Sequence, residues 1–244
     1  MMMLGWEKTA QVSEKHASEW MLFALVLTCL GAAVAPAGAH PRQAPETKTV
    51  AAPAFVPPAP GSYRLEKIMR APEGMVLDSE GRSQKLSRYL DGKVTLLAFM
   101  YTRCTDPNGC PLAYQAMAEL KLRIEQTPPL HNKVRFLSLS FDSKRDTAHV
   151  MRLYGSHVRR SRGLDWFFLT TRSPKDLTPL LEGFGQDVAL LEGDTTSSLS
   201  HVLKVFLIDA SRTVREIYST SYLIPQVVLN DIETLVLEDR VKAN

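Results

Sequence analysis

Strand-like and helix-like patterns of apolar residues alternate along the chain from Val94 onward. The run VTLLAFMYT (Val94–Thr102) is continuously apolar and rich in β-prone residues, which is typical of a strand buried on both faces. Apolar residues then recur at helical spacing until a Pro-Pro pair, at Ala113, Ala116, Met117, Leu120 and Ile124. The pattern therefore predicts a central strand followed by a helix that packs on the sheet.

The rest of the chain continues this alternation. The pattern predicts strands over Val134–Phe141 and Trp166–Thr170, a helix capped by Asp146 or Thr147 and ending near Gly155, a helix over Pro174–Glu182, a hairpin of Val202–Asp209 and Thr213–Ser219, and a closing helix over Pro225–Leu237. Such an order predicts an α/β fold in which a central mixed β-sheet is flanked by helices. It is the order of a thioredoxin-like fold with a βαβ insertion.

An uncharged, apolar run occupies the N-terminal region. No charged residue occurs from Trp20 through Pro41, and Ala37-Gly38-Ala39 has the small-x-small form of a signal-peptidase site, with cleavage before His40. We expect residues 1–39 to be a leader or signal peptide, or else a membrane anchor through residues 20–39. The strongly apolar part is shorter than the roughly 20 residues that a span prefers. Export to the periplasm, or anchoring at the inner membrane, follows from this pattern.

A proline-rich segment separates the leader from the folded part. Seven of the fifteen prolines fall between Pro36 and Pro60, and the segment has no periodic apolar face, so it favours extended conformations. We therefore assign residues 40–60 to a linker, 61–239 to a globular domain and 240–244 to a tail.

Composition narrows the function classes. The 244 residues are 45% hydrophobic and 23% charged, and the formal net charge is only +3, which does not indicate a nucleic-acid-binding protein. The densest basic run, His157–Gly163, is interpreted as a solvated surface segment. Three cysteines are too few for a disulfide scaffold.

Two of those cysteines flank a turn-rich loop between the first predicted strand and its helix. In FMYTRCTDPNGCPLA (Phe99–Ala113), Asp-Pro and Asn-Gly turn signals can fold the loop so that Cys104 and Cys110 approach. Pro111 suits the first helical position, which makes Cys110 the predicted N-cap, where the helix dipole stabilises a thiolate. Arg103 is expected to lower the pKa of Cys104 further. Sites in open α/β sheets lie at this end of the strands.

Three interpretations of the cysteine pair stay open from the residues alone. A structural disulfide would constrain little chain entropy, because the loop is short. A dithiol oxidoreductase would use the pair as its redox-active residues. A soft-metal site would need a further ligand, since two thiolates and one imidazole suit copper, and zinc less exclusively.

His201 is the histidine best placed to supply that ligand. It stands just before an apolar strand that would lie in the central sheet and, in a thioredoxin-type topology, would face the cysteine loop. Its spacing alone fits an ordinary strand-entry histidine equally well. The other five histidines fall in the leader, the linker or polar surface segments: His16, His40, His131, His149 and His157.

Three motifs in the right order give the chain a resemblance to a known family. They are FMYTRC…CPLA, LSFDSKRDT (Leu139–Thr147) and LSHVLKVFLID (Leu199–Asp209). In this respect the chain resembles the Sco/SenC family of thioredoxin-like copper proteins over roughly residues 61–239.

The resemblance implies a site, a metal and a client. It implies that Cys104, Cys110 and His201 bind copper, as Cu(I) or Cu(II), and that Asp142 has a supporting role. The family is associated with delivering copper to the copper centre of cytochrome oxidase, or with reducing the cysteines of that centre. The expected client is therefore a copper protein such as a cytochrome oxidase subunit.

The chain departs from the family in its cysteine spacing, which is Cys-x5-Cys here and usually Cys-x3-Cys. A thiol–disulfide oxidoreductase acting through Cys104 and Cys110 on an exported client is the alternative. Against it, the spacing is not Cys-x-x-Cys, and Ser200 and His201 stand where thioredoxins place a proline. A peroxiredoxin relative ranks last, since Thr102 lies only two positions before Cys104.

Overall fold

The computed structural model describes residues 55–158, 163–190 and 199–243. These residues all belong to one compact unit, Pro53–Asn244. The predicted leader (1–39) and most of the predicted linker (40–60) lie outside the described residues, so both stay predictions. No helix in the described ranges combines the length and the apolar character needed to cross a membrane.

A six-stranded mixed sheet forms the centre of this unit. The described strands are β1 (Met69–Arg70), β2 (Met75–Leu77), β3 (Ser83–Lys85), β4 (Val94–Met100), β5 (Val134–Ser140), β6 (Asp165–Leu169), β7 (Val188–Leu190), β8 (Leu199–His201), β9 (Val205–Ile208) and β10 (Thr213–Tyr218). The central sheet has the order β1-β10-β9-β4-β5-β6. Strands β4, β5 and β6 run parallel, whereas β9 is antiparallel to both β4 and β10. Two further two-stranded sheets are the hairpins β2–β3 and β7–β8, and Leu77 of β2 also bridges Thr170, the residue after β6.

Helices flank the sheet. They are α1 (Ser87–Leu90), α2 (Cys110–Glu125), α3 (Ala148–Tyr154), α4 (Pro174–Gly183) and α5 (Pro225–Ala243), with a short 3-10 turn at Pro128–Leu130. The helices α2 and α5 pack against each other and against β4, while α3 packs against β6. This arrangement confirms the predicted α/β class with a central mixed sheet and flanking helices.

Burial on both faces explains why the sequence of β4 is an almost uninterrupted apolar run. All seven of its residues are buried, because β5 and β9 pair with its two edges and helices cover it. Phe99 of β4 packs edge-to-face on Phe206 of β9 and on Phe184 at the end of α4. The strand that leads into the cysteine loop is therefore held by neighbours at both edges and on its faces.

The local signals of α3 are confirmed in detail. Thr147 is the N-cap, and its side chain accepts a hydrogen bond from the backbone N–H of Val150. Gly155 is the C-cap, as predicted. It has no side chain because a Cβ there would lie 2.2 Å from the ring of Phe168.

The structure departs from the predicted elements at both ends and around His201. Strands β1 to β3 and helix α1 were not predicted, because elements of two to four residues are too short to show periodicity. The predicted strand Val202–Asp209 begins only at Val205, and His201 belongs to the separate hairpin β7–β8. Helix α5 continues to Ala243 and so runs through most of the predicted tail.

Candidate metal centre

Cys104 and Cys110 lie where β4 gives way to α2. The strand ends at Met100, and the backbone N–H of Cys104 donates to the carbonyl oxygen of Tyr101 at 3.3 Å, which turns the chain just beyond the strand. Cys110 is the first residue of α2. Because β4 is a central strand, the loop begins in the middle of the row of C-terminal strand ends, where sites of α/β folds usually lie.

Gly109, and not Cys110, is the N-cap of α2, so this prediction was wrong by one residue. The carbonyl oxygen of Gly109 accepts the first helical hydrogen bond, from the N–H of Ala113 at 3.2 Å. Cys110 and Pro111 take the first two helical positions. Since none of the first N–H groups has an acceptor within the helix, proline fits the second position as well as the first.

Asp106 accepts one hydrogen bond through its side chain and one through its backbone, and the two bonds fold the loop back on itself. Its Oδ1 accepts from the backbone N–H of Asn108 at 2.9 Å, and its carbonyl oxygen accepts from the N–H of Gly109 at 3.0 Å. A Cβ on Gly109 would lie 3.3 Å from both Cys104 Sγ and Asp106 Oδ2. The absence of a side chain at Gly109 therefore leaves open the space that these two side chains border.

His201 ends strand β8, which the backbone of β7 holds in place by pairing His201 with Val188. Its imidazole packs on two rings at the end of the sheet, with centroid distances of 4.8 Å to Phe141 and 5.9 Å to Tyr101. These rings follow β5 and β4 respectively, so the histidine lies over the strand ends from which the cysteine loop leaves.

The three residues predicted as ligands come together in the structure. His201 Nε2 lies 3.5 Å from Cys110 Sγ, and the ligand atoms of Cys104, Cys110 and His201 all lie within 4.8 Å of one another. Both cysteines are free thiols. Two sulfur donors and one imidazole form a set that suits a soft metal such as Cu(I). Within the described residues, no further His, Cys, Asp or Glu joins this group, whereas structural zinc sites use four ligands.

The two thiols differ in their surroundings. Cys110 is 2% exposed, whereas Cys104 is half-buried. Burial raises the pKa of the Cys110 thiol, and the neighbouring Cys104 raises it further, although a backbone hydrogen bond from Tyr101 acts the other way. These contributions together raise the pKa of the Cys110 thiol, whereas the sequence pattern predicted a thiolate stabilised at the helix start. Metal binding there must displace a proton.

Asp146 is a supporting residue that the sequence reasoning considered only as a helix cap. It is 1% exposed, and its carboxylate accepts from the backbone N–H and hydroxyl of Thr102 at 3.0 and 2.5 Å. It also accepts from the hydroxyl of Ser140 at 2.6 Å. Asp146 thus ties the ends of β4 and β5 together two residues before Cys104. Because Asp146 directly precedes the N-cap Thr147, the sequence pattern indicated only a capping role for it.

Asp142, which the resemblance implied as the supporting acid, faces a different partner. Its carboxylate accepts from Arg145 Nη1 at 3.1 Å, and the residue is buried. Arg103 is exposed beside Cys104. Of Asp142 and Asp146, it is Asp146 that accepts hydrogen bonds from Thr102, two residues before Cys104, and a supporting role for Asp142 stays a prediction.

The other histidines that the structure describes lie away from this group. His131 Nε2 lies 3.0 Å from the carbonyl oxygen of Glu125. His149 Nδ1 lies 2.9 Å from Arg152 Nη2 and is exposed, as is His157. The remaining histidines and the third cysteine fall outside the described residues: His16, His40 and Cys29.

Comparison with known proteins agrees with the motifs. The family model described as SCO1/SenC matches residues 76–237, which is more than half of the chain. No curated protein matches the chain significantly.

Solved structures resemble the chain in fold. The copper-bound ScoI of Bradyrhizobium japonicum is 20% identical and has a TM-score of 0.56, over 68% of this chain and 99% of that one. A SCO1/SenC family lipoprotein from Bacillus anthracis is 23% identical, with a TM-score of 0.57 over 74% and 99%. BsSco, described as a member of the Sco family of cytochrome c oxidase assembly proteins with a disulfide switch, is 18% identical, with a TM-score of 0.56 over 71% of this chain and 98% of that one. These likenesses show that the fold is the predicted thioredoxin-like one.

Proposed function

The chain belongs to the SCO1/SenC family, and we propose that it binds copper as cargo through Cys104, Cys110 and His201. The observation that carries this proposal is that two sulfurs and one imidazole nitrogen from three separate parts of the chain lie within 4.8 Å of one another. Thiolate and imidazole donors in a three-ligand set favour Cu(I), and imidazole also suits Cu(II). Copper-bound relatives of the same fold support the choice of metal.

The unequal exposure of the ligands supports a role in transfer rather than storage. Cys110 is buried and holds the inner side of the site, whereas Cys104 and His201 are half-buried and border solvent. An incoming ligand of a client can therefore replace Cys104 or His201 while Cys110 still holds the metal. We propose that the client is a respiratory oxidase subunit, which the assembly role stated for BsSco supports.

Copper stoichiometry on the reduced full chain tests the proposal. We expect about one Cu(I) per chain, and a marked loss of affinity in each of Cys104→Ser, Cys110→Ser and His201→Ala, because each removes one of three ligands. Cys29→Ser and His149→Ala are matched controls, because they remove a thiol and an imidazole that do not belong to the proposed ligand set. Normal affinity in His201→Ala, or equal loss in His149→Ala, would contradict the shared site.

The proximity of two free thiols supports a second candidate, reduction of a client's disulfide. The Cys104 thiolate attacks one sulfur of that disulfide, and the client's other sulfur leaves as a thiolate. Cys110 then gives its proton to His201 Nε2, 3.5 Å away, and attacks Cys104 Sγ, which releases the client's first sulfur. The client gains two electrons and the chain is left with a Cys104–Cys110 disulfide.

Trapping distinguishes this candidate. A short peptide carrying one intramolecular disulfide is mixed with each reduced single variant. We expect Cys110→Ser to accumulate a mixed disulfide at Cys104, since the resolving thiol is gone, and Cys104→Ser to accumulate little. If neither variant forms the adduct while both lose copper binding, only the metal role stands.

We propose in addition that the domain works outside the cytoplasm. The small-x-small site before His40 and the apolar run upstream of it support export. Mass analysis of the protein recovered from its native membrane fraction and from the periplasm checks this. An N-terminus at His40 would support a cleaved leader, an intact N-terminus in the membrane fraction would support an anchor, and an intact soluble cytoplasmic protein would contradict export.

A further inference from the structure

The cysteine loop places a carboxylate beside the proposed copper ligands. Asp106 Oδ2 and Cys104 Sγ each lie 3.3 Å from the one position that a Cβ on Gly109 would occupy. The two atoms are therefore no more than twice that distance apart. Asp106 is exposed, and its other oxygen, Oδ1, is engaged with the N–H of Asn108.

The loop fixes this carboxylate rather than leaving it free to swing away. The bond from Asn108 N–H to Oδ1 holds the side chain, and the bond from Gly109 N–H to the carbonyl of Asp106 holds the backbone. The hydroxyl of Thr220, in the segment that follows β10, donates to the carbonyl oxygen of Asn108 at 3.4 Å. This bond connects the cysteine loop to that segment. A fixed negative charge thus borders the cysteine side of the site.

We propose that Asp106 makes the site favour Cu(II) over Cu(I), relative to the same site without this charge. The proposal rests on the proposed function, because it assumes that copper sits at Cys104, Cys110 and His201. Its physical basis is charge alone: Cu(II) carries one more unit of positive charge than Cu(I), and the carboxylate attracts that extra charge. Asp106 is a positioning and tuning residue here, and it is not one of the grouped ligands.

The size of the effect follows from the distance. At a separation of about 6 Å, and with the near-aqueous dielectric constant of about 40–80 that an exposed carboxylate meets, one extra unit of charge changes an equilibrium by roughly threefold to tenfold. Arg103 is the cation adjacent to Cys104 in sequence, and it is also exposed. Its charge opposes that of Asp106, so substitution of each residue should move the preference in opposite directions.

Asp106→Asn isolates the charge, because asparagine keeps the Oδ1 acceptor for Asn108 and replaces only Oδ2. Cu(I) and Cu(II) affinities of the full chain are measured by competition with chelators specific for each ion. We expect the ratio of Cu(II) to Cu(I) affinity to fall by about threefold to tenfold in Asp106→Asn. Asp165→Asn removes an exposed carboxylate at the opposite end of the sheet and is expected to leave the ratio unchanged.

The outcomes separate this inference from the proposed function. A wild-type chain that binds copper at a site sensitive to His201→Ala, with an unchanged ratio in Asp106→Asn, would overturn the inference and leave the function standing. The same change in Asp165→Asn as in Asp106→Asn would also overturn it. If His201→Ala binds copper as tightly as the wild type does, the proposed function is overturned, and the inference with it. A fall in Asp106→Asn and a rise in Arg103→Gln would support the inference.

Discussion

Cys104 and Cys110 share a loop but meet different physical conditions. Cys110 is the first residue of α2 and packs against the core, so burial raises the pKa of its thiol. Cys104 is half-buried at the loop surface. In the proposed site, the same residue type would therefore supply a buried ligand at Cys110 and an exchangeable, solvent-bordering ligand at Cys104.

Thiol alkylation measures this difference directly. In the metal-free, reduced protein, iodoacetamide should modify Cys104 much faster than Cys110 at neutral pH, because Cys110 is buried and burial raises the pKa of its thiol. The alkylation rate of Cys110 should still increase with pH at values where the rate of an ordinary cysteine has reached its plateau, since the pKa of Cys110 is raised. Single variants Cys104→Ser and Cys110→Ser, each also carrying Cys29→Ser, assign the rates. Equal rates at neutral pH would show that Cys110 is not protected.

Asp146 offers a second prediction at this scale. Asp146→Ala leaves the N–H and hydroxyl of Thr102 and the hydroxyl of Ser140 without their acceptor in a buried place. We expect the free energy of unfolding to fall by about 2–4 kcal/mol, measured by urea denaturation.

A double-mutant cycle provides the control. Thr102→Val removes only the hydroxyl bond, so Asp146→Asn and Thr102→Val should show coupling of about 1 kcal/mol, whereas Asp146→Asn and the distant Thr178→Val should add independently. Additivity in the first pair would mean that Asp146 does not act through Thr102.

At the scale of elements, His201 reaches the site on a hairpin and not on the strand that follows it. The hairpin β7–β8 carries the histidine, and the buried side chain of Gln186, after α4, donates from Nε2 to the carbonyl of Val202 at 2.9 Å. The sequence motif placed His201 correctly near the strand entry. Strands of three residues could not be predicted, because they contain less than two periods of alternation.

Asp209, in the β9–β10 hairpin, is expected to make the stability of the protein depend on pH. Burial raises the pKa of Asp209, but hydrogen bonds from the N–H of Thr213, from Ser211 and from Arg215 outweigh it and hold the pKa below its usual value. A depressed pKa means that this contribution to stability is present above the unfolded-state pKa of about 3.9 and is lost as pH falls through the folded-state value.

We therefore expect the free energy of unfolding to decrease on acidification from about pH 6 to about pH 3, and to decrease less in Asp209→Asn. Asp165→Asn, an exposed carboxylate, serves as the control and should behave as the wild type. An identical pH dependence in Asp209→Asn and the wild type would rule out this linkage.

For the whole molecule, long elements and motifs were predictable and packing was not. The apolar run of β4, the capping signals of α3 and the Thr213 strand of the hairpin were all visible in the sequence. The position of Cys104 and Asp106 around the place that a Cβ of Gly109 would occupy depends on how the loop folds. The direction of the Cys110 pKa depends on burial, which a sequence pattern cannot quantify. Tertiary contacts, and not local propensity, decide both.

The central claim is that three side chains from different parts of the chain hold one copper ion. X-ray absorption spectroscopy of the reduced, Cu(I)-loaded full chain reads the ligand atoms directly. The account predicts two sulfur ligands and one imidazole nitrogen in the wild type, loss of the imidazole signal in His201→Ala and its retention in His149→Ala. A copper environment without sulfur, or one that keeps its imidazole in His201→Ala, would contradict it.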